Sequence, residues 1–279
     1  MKLFALIGNP VEHSLSPEMH NAAFQALGLE CFYTAFQVDS DRLGEAIEDA
    51  RAIGIQGLNV TIPHKVSVLQ YLDELDDSAN QVGAVNTIAN RDGRLVGYNT
   101  DGLGALRAME QNNVKPDGRR VMLLGAGGAA RAIAFTLAGR VESLSILNRS
   151  GNKAKNLAAD LQSIFGKHVS WGSLTPTAVA KVIETAEIII NSTPVGMYPQ
   201  VEETIIDREL LRPNMAVFDI VYNPIKTKLL KDAEATGART VSGVEMLLHQ
   251  GAEAFKTWLG IMPPINVMRE AAVKRLVEV

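Results

Sequence analysis

Cysteine is almost missing from this chain of 279 residues, with Cys31 standing alone. One thiol excludes an internal disulfide, and the chain has no zinc-type cluster of cysteine and histidine. The absence suits a reducing, cytoplasmic setting, and Cys31 reads as a small buried filler within a strand. Long apolar runs are also missing, so no membrane span is expected. The first one, Leu3-Phe4-Ala5-Leu6-Ile7, stops at Gly8-Asn9-Pro10; it is too short for a signal-peptide core and the right length for a strand. Positive charge is outweighed, 27 Lys and Arg against 31 Asp and Glu, for a formal net charge of −4. That balance argues against a nucleic-acid partner held by bulk electrostatics. Aromatic residues are only 5%; Trp171 and Trp258 read as packing residues. The five histidines are scattered, with no metal site expected, and His64 reads as a surface residue at a helix start. No repeat or low-complexity segment is present.

Apolar mass is plentiful at 47%, enough for one large core or two ordinary ones. The first hundred residues alternate between strand and helix. Strands are expected at residues 3–7, Cys31 to Val38 and Gln56 to Val60. Helices are expected from Pro17 to Gly28, after the caps Asp39-Ser40-Asp41, and from Pro63. Ala84 to Ala89 and Arg94 to Tyr98 then read as an antiparallel pair joined through Asn90-Arg91-Asp92-Gly93, completing a mostly parallel sheet. A helix from Asn99 to about Asn113 bridges to a second alternating stretch. Its strands are expected at Val121 to Leu124, Leu144 to Leu147, Ile188 to Ile190 and Met215 to Ile220. Its helices are expected at Gly128 to Leu137, Asn152 to Ile164 and Pro224 to Thr236. The fold class is therefore α/β with two domains: residues 1–101, onto which helices within 244–279 pack back, and a doubly wound domain over 102–243.

The run Val121 to Leu124 breaks into Gly125-Ala126-Gly127-Gly128-Ala129-Ala130 and resumes as an alanine-rich helix. Gly125-x-Gly127-x-x-Ala130 in this context is a dinucleotide fingerprint. Gly125 permits the tight turn, Gly127 lets a pyrophosphate approach the backbone, and Ala130 lets helix pack on strand. The N–H groups of the helix start face the phosphates.

Ligands of open α/β sheets sit at the carboxyl ends of strands. The polar residues that follow strands in the first half are Ser14, Ser16, Asn59, Thr61, Lys65, Asn86 and Asp101. Hydroxyls, amides, one ammonium and one carboxylate suit a small polyhydroxylated ligand, since an amide reads ring hydroxyls as donor and acceptor together. Apart from Lys65 the set has no strong cation, so a phosphorylated substrate is not indicated. Carbonyl reduction needs hydride at carbon and a proton at oxygen. A lysine oriented by a carboxylate can give that proton and stabilise the developing alkoxide. Each residue alone has an ordinary alternative, Lys65 as a solvated surface lysine and Asp101 as a helix cap.

The chain resembles the shikimate dehydrogenases over essentially its full length. In the first half the matching motifs are Ser14-Leu15-Ser16-Pro17 with Met19-His20-Asn21, Asn59-Val60-Thr61-Ile62-Pro63-His64-Lys65, Gly83-Ala84-Val85-Asn86-Thr87 and Asn99-Thr100-Asp101-Gly102. In the second half they are the glycine turn through Arg131, Asn191-Ser192-Thr193-Pro194-Val195-Gly196-Met197, Asp219-Ile220-Val221-Tyr222-Asn223-Pro224, and Gly243-Val244-Glu245-Met246-Leu247 ending in Gln250. The resemblance implies reversible reduction of 3-dehydroshikimate to shikimate on the route to chorismate and the aromatic amino acids, with the active site in a cleft between two α/β domains. It implies Lys65 and Asp101 as the catalytic pair, and Ser14 and Ser16 on the substrate carboxylate. It further implies Asn59, Thr61, Asn86, Asp101 and Gln250 on ring hydroxyls, with Tyr222 close by. Thr193, Pro194, Val195, Met197, Ile220, Gly243 and Met246 are implied at the nicotinamide end of the cofactor.

Cofactor choice can be read from charge. An NAD site usually carries an acidic residue at the end of the second strand, on the ribose 2′-hydroxyl. Here Leu144 to Leu147 runs into Asn148-Arg149-Ser150, with Lys153 one turn later and no carboxylate. Arg149 can stack on adenine and pair with a 2′-phosphate, to which Asn148 and Ser150 can donate. NADP is therefore expected. The alternatives are a relative that takes quinate or uses NAD, and a nucleotide-binding regulator without turnover, which would have no need of Lys65 and Asp101. A monomer and a homodimer are equally open.

Overall fold

The computed structural model describes residues 1–278. The chain divides into two compact units, the first formed by residues 1–101 with the helical stretch from Leu248 onward, the second by Gly102–Leu247.

The first unit is a six-stranded mixed sheet with strands in the order β2-β1-β3-β5-β6-β4. These are β1 (Lys2–Gly8), β2 (Cys31–Gln37), β3 (Gly57–Val60), β4 (Glu74–Leu75), β5 (Thr87–Arg91) and β6 (Arg94–Tyr98). β1 pairs in parallel with both β2 and β3. Its apolar run is buried without alternation because both faces are covered. β5 runs antiparallel to both β3 and β6, and the β5–β6 hairpin is closed by Arg91 opposite Arg94. The turn between them places Asp92 at φ 54° and Gly93 at φ 92°, the left-handed geometry that suits the twist of a two-residue hairpin. The expected strand from Ala84 starts only at Thr87, and β4, too short for a periodic signal, pairs outside β6.

Helix α1 (Ser16–Ala26), with Pro17 in its first turn, turns Met19, His20, Ala23 and Phe24 inward. Helix α2 (Leu43–Ala52) buries Leu43, Ile47 and Ala50, and a short helix α3 (Asp77–Val82) is capped by Asp76. Asp39-Ser40-Asp41 does not cap α2. Ser40–Arg42 forms a 3₁₀ turn, and the Asp39 carboxylate accepts from Asn9 Nδ2 at 2.7 Å instead. Nor does Pro63 open an α-helix: a single 3₁₀ segment, Ser67–Tyr71, follows. The Lys65 carbonyl there is taken by a tertiary partner, accepting from Val85 N at 2.7 Å.

Three other expectations are corrected. His64 is fully buried, with its Nε2 2.7 Å from the Val38 carbonyl. Cys31 is only partly buried, because β2 is an edge strand; desolvation raises its thiol pKa. Trp171 is 48% exposed on another edge strand, with Lys155 Nζ 5.6 Å above its ring. Trp258 does pack, donating Nε1–H to Ile88 O at 2.9 Å and lying over Gly57, where a Cβ would come within 2.6 Å of the indole.

The second unit is a six-stranded, all-parallel sheet of β7 (Arg120–Leu124), β8 (Ser143–Asn148), β9 (Val169–Ser173), β10 (Ile188–Asn191), β11 (Ala216–Asp219) and β12 (Arg239–Val241). Its order β9-β8-β7-β10-β11-β12 reverses direction at β7 and β10. That is the doubly wound dinucleotide-binding arrangement, with the crevice at the reversal. Helices α4 (Asp101–Gln111), α5 (Gly128–Ala138), α6 (Gly151–Phe165), α7 (Pro176–Ile183) and α8 (Lys228–Ala235) connect the strands. The edge strands β9 and β12 alternate or expose residues and carry no apolar run, which is why the sequence does not announce them. α9 (Gly243–Leu259) contains the unit boundary, and α10 (Ile265–Glu278) packs on α1. Among the described residues no helix is long and apolar enough to cross a membrane, and no metal-binding cluster is present.

Candidate functional site

In the first unit, Asn59, Lys65, Asn86 and Asp101, among the polar residues that follow strands, converge on one hydrogen-bonded network. Asp101 begins α4 directly after β6. Asn99 sets its position, accepting from the Asp101 amide at 3.1 Å while donating Nδ2–H to Ala84 O at 3.0 Å. The Lys65 ammonium donates to Asp101 Oδ2 at 2.6 Å, the side chains being 20% and 7% exposed. The other carboxylate oxygen accepts from Asn86 Nδ2 at 2.8 Å. An ammonium has three N–H donors, so the pairing with Asp101 leaves two for a ligand. Such a pair can donate a proton to a carbonyl oxygen and take it back.

Asn86 is buried, and its Nδ2 also lies 3.0 Å from Thr100 Oγ1 and 3.4 Å from Gln250 Oε1, so α9 joins the network through Gln250. Its Oδ1 accepts from Thr100 N at 2.8 Å and from Thr87 Oγ1 at 3.0 Å. Asn59, equally buried, donates from Nδ2 to Asn86 O and to Thr87 Oγ1, both at 3.2 Å. Its Oδ1 accepts from the Tyr33 hydroxyl at 2.7 Å. Ser16 is buried at the start of α1. Ser14 is half-buried; its Oγ accepts from Ser16 N at 3.3 Å and keeps its own proton to donate. Thr61 is half-buried where β3 ends, its amide bonded to Ile7 O at 2.9 Å. Thr87, Thr100 and Tyr33 belong to this network and were not singled out from sequence. Thr87 and Thr100 lie inside motifs already noted, whereas nothing local distinguishes Tyr33 from any other strand tyrosine.

In the second unit the glycine turn joins β7 to α5. Gly125 has φ +113°, and a Cβ there would sit 2.5 Å from Ser192 Oγ, which itself donates to Leu124 O at 2.6 Å. Both the backbone geometry and the close approach require glycine. A Cβ on Gly127 or Gly128 would meet nothing within 4 Å, and no side chain caps α5. The first-turn N–H groups therefore face open space, the arrangement that holds a phosphate. Ala130 is fully buried against the sheet, while Ala126 and Ala129 are half-buried on the loop side. At the end of β8, Asn148 Nδ2 donates to Ser150 O at 3.0 Å, shaping the turn that carries Arg149. Arg149 and Lys153 are exposed, and no carboxylate pairs with either among the described residues. These residues fit a dinucleotide with an extra phosphate on its ribose.

A second buried network lies beyond β10 and β11. Asp219 accepts from Thr227 Oγ1 at 2.6 Å, Asn191 Nδ2 at 2.9 Å and Val221 N at 3.1 Å. Burial pushes its carboxyl up to about 6 against these bonds. Asn191 Oδ1 accepts from Thr193 N and Oγ1 at 3.1 and 2.7 Å, and Val195 N donates to Thr193 Oγ1 at 3.3 Å. The loop of Thr193, Pro194, Val195 and Met197 is thereby tied to the end of β11. Ile220 and Gly243 are in close approach, since a Cβ on Gly243 would come within 2.5 Å of the Ile220 carbonyl carbon. Met246 is buried in the first turn of α9, and Tyr222 is half-buried in this unit, its phenol pKa raised by burial.

Family models match nearly the whole chain. Residues 6–88 match the shikimate dehydrogenase substrate binding domain, 107–229 the shikimate / quinate 5-dehydrogenase domain, and 243–273 the shikimate 5'-dehydrogenase C-terminal domain. A shikimate dehydrogenase (NADP(+)) of Geobacillus kaustophilus is 48% identical over 277 residues, 99% of each chain. That of Methanocaldococcus jannaschii is 46% identical over 280 residues, 99% of this chain and 97% of the other. A crystal structure of a shikimate dehydrogenase in complex with NADP+ superposes with a TM-score of 0.93 at 45% identity, covering 99% of this chain and 96% of that one. Identity at this level along the whole length, on a chain with one all-parallel nucleotide-type unit and one mixed unit holding a lysine–aspartate pair, leads to one assignment: the chain belongs to the shikimate dehydrogenase family.

Proposed function

We propose that the chain catalyses the reversible NADPH-dependent reduction of 3-dehydroshikimate to shikimate, a step towards chorismate and the aromatic amino acids. The 2.6 Å contact between the Lys65 ammonium and the Asp101 carboxylate carries the reading. It supplies a proton donor held by a buried acceptor, which a nucleotide-binding regulator does not need.

Lys65 donates a proton to the carbonyl oxygen at C3 and stabilises the alkoxide as charge builds there. Asp101 holds the ammonium in line and remains a carboxylate, while Lys65, left as the neutral amine, takes a proton back from solvent. Ser14 and Ser16 hold the substrate carboxylate, and Asn59, Thr61, Asn86 and Gln250 hold the ring hydroxyls, with Tyr222 serving the same ligand. NADPH, when bound, supplies hydride to the carbonyl carbon. Gly125 to Ala130 hold its pyrophosphate and Asn148, Arg149, Ser150 and Lys153 its 2′-phosphate. Thr193, Pro194, Val195, Met197, Ile220, Gly243 and Met246 border the nicotinamide. The unpaired Arg149 with no acidic neighbour on the turn favours NADP over NAD.

The test is direct. Purified protein mixed with NADPH should lose absorbance at the reduced nicotinamide band when 3-dehydroshikimate is added. The absence of turnover would overturn the enzyme reading.

A further inference from the structure

Asn59 has fewer free valences than its place in the site implies. Both hydrogens of its Nδ2 have acceptors, Asn86 O and Thr87 Oγ1, each at 3.2 Å. A backbone carbonyl can only accept, so the group facing Asn86 O must be the NH₂ and the amide cannot be turned over. The oxygen is held by Tyr33, whose hydroxyl donates at 2.7 Å.

Tyr33 is itself clamped on every side. It is fully buried, and its ring stacks on His20 with centroids 4.5 Å apart and planes 15° apart. Its backbone is gripped by the Asn21 amide, which donates to Tyr33 O and accepts from Tyr33 N, both at 2.8 Å. Burial also raises the phenol pKa well above its usual value, which keeps the group a donor.

We infer that Tyr33 is a positioning residue: the Asn86 carbonyl sets the polarity of Asn59, and the Tyr33 hydroxyl takes one lone pair of Oδ1 and holds the amide in place, so that it offers a ligand only the remaining lone pair. Asn59 then accepts from a ring hydroxyl and donates to none. It selects a ligand with a hydroxyl donor at that position and rejects one bearing a keto, ether or deoxy carbon there. The inference rests on the substrate reading above, in which Asn59 meets a ring hydroxyl.

Tyr33→Phe keeps the stacked ring and removes only the donor. Calorimetric Kd values are measured for shikimate, for its two analogues lacking the C4 or the C5 hydroxyl, and for NADP. Loss of one such hydrogen bond corresponds to a weakening of about three- to thirtyfold. That weakening is expected for shikimate and for one deoxy analogue, with the other analogue and NADP unchanged within twofold. Unchanged affinity for shikimate overturns the inference. So does an equal penalty on all three ring ligands, or one shared by NADP, since a general loosening of the fold acts in that way. If Tyr33→Phe does not fold, Asn59→Ala is measured with the same ligands. It should abolish discrimination against one deoxy analogue, and retained discrimination against both overturns the inference. Failure of the wild type to turn over shikimate while the Kd pattern holds would strike the reductase reading alone.

Discussion

Lys65 Nζ and Asp101 Oδ2 lie 2.6 Å apart, although 36 positions separate the two residues in the chain. The contact is built from both ends: Val85 N ties down the Lys65 backbone, and Asn99 Oδ1 ties down the Asp101 amide. Asn86 occupies the second carboxylate oxygen. Asp101 therefore has one ammonium and one amide as fixed partners, and the ammonium has donors to spare.

Removing the ammonium should act on the chemical step. Lys65→Ala is expected to lower kcat by about 10²- to 10⁴-fold, the range typical of a lost general acid, with a much smaller change in KM. Steady-state kinetics with shikimate and NADP measure the split. A change confined to KM would make Lys65 a binding residue only.

Arg149 is exposed at the end of β8 with no acidic partner among the described residues, so its effect should be specific to the ribose phosphate. Arg149→Ala is expected to raise KM for NADP about 10- to 100-fold, the scale of a lost charge-assisted bidentate contact. KM for NAD should move less than twofold. Equal losses for the two cofactors would assign Arg149 to adenine stacking alone.

His20 gives the protein an acid-sensitive core. The ring is fully buried with neither nitrogen hydrogen-bonded, and burial lowers its pKa from 6.5 to about 3. The folded state thus binds the proton less readily than the unfolded state, and stability from this group is complete above about pH 6.5 and falls as pH drops toward 3. By pH 5 the loss should reach about 2 kcal/mol, from 1.36 kcal/mol per pH unit. Urea unfolding at pH 7 and pH 5 tests this against His20→Leu. The difference between the two proteins should shift by that amount in favour of the leucine variant. A constant difference would show that the imidazole finds a proton-accepting partner or water.

Much of this architecture is legible in the chain itself. Apolar runs such as Leu3 to Ile7 and Ile188 to Ile190 mark strands covered on both faces, because only such strands need no polar alternation. Gly125 is legible because a tight strand-to-helix turn requires a backbone that few other residues adopt. The hairpin at Asp92-Gly93 is legible for the same reason. Edge elements are not. β9, β12 and β4 are held by neighbours distant in sequence and carry little apolar signal of their own.

The sequence by itself determined the two alternating α/β stretches, the glycine turn, the absence of a carboxylate beside Arg149, and the supply of polar side chains after strands. Tertiary structure alone decided how those side chains are committed. It buried His64 on Val38 O rather than exposing it on a helix, because the segment after Pro63 forms no α-helix and is tied by the Lys65 carbonyl to Val85 N. It drew Gln250 from a late helix to Asn86, and placed Tyr33 behind Asn59. A residue's type sets what it can donate or accept. Only packing settles which of those valences remain free for a ligand, because each buried polar atom must first find a partner within the fold.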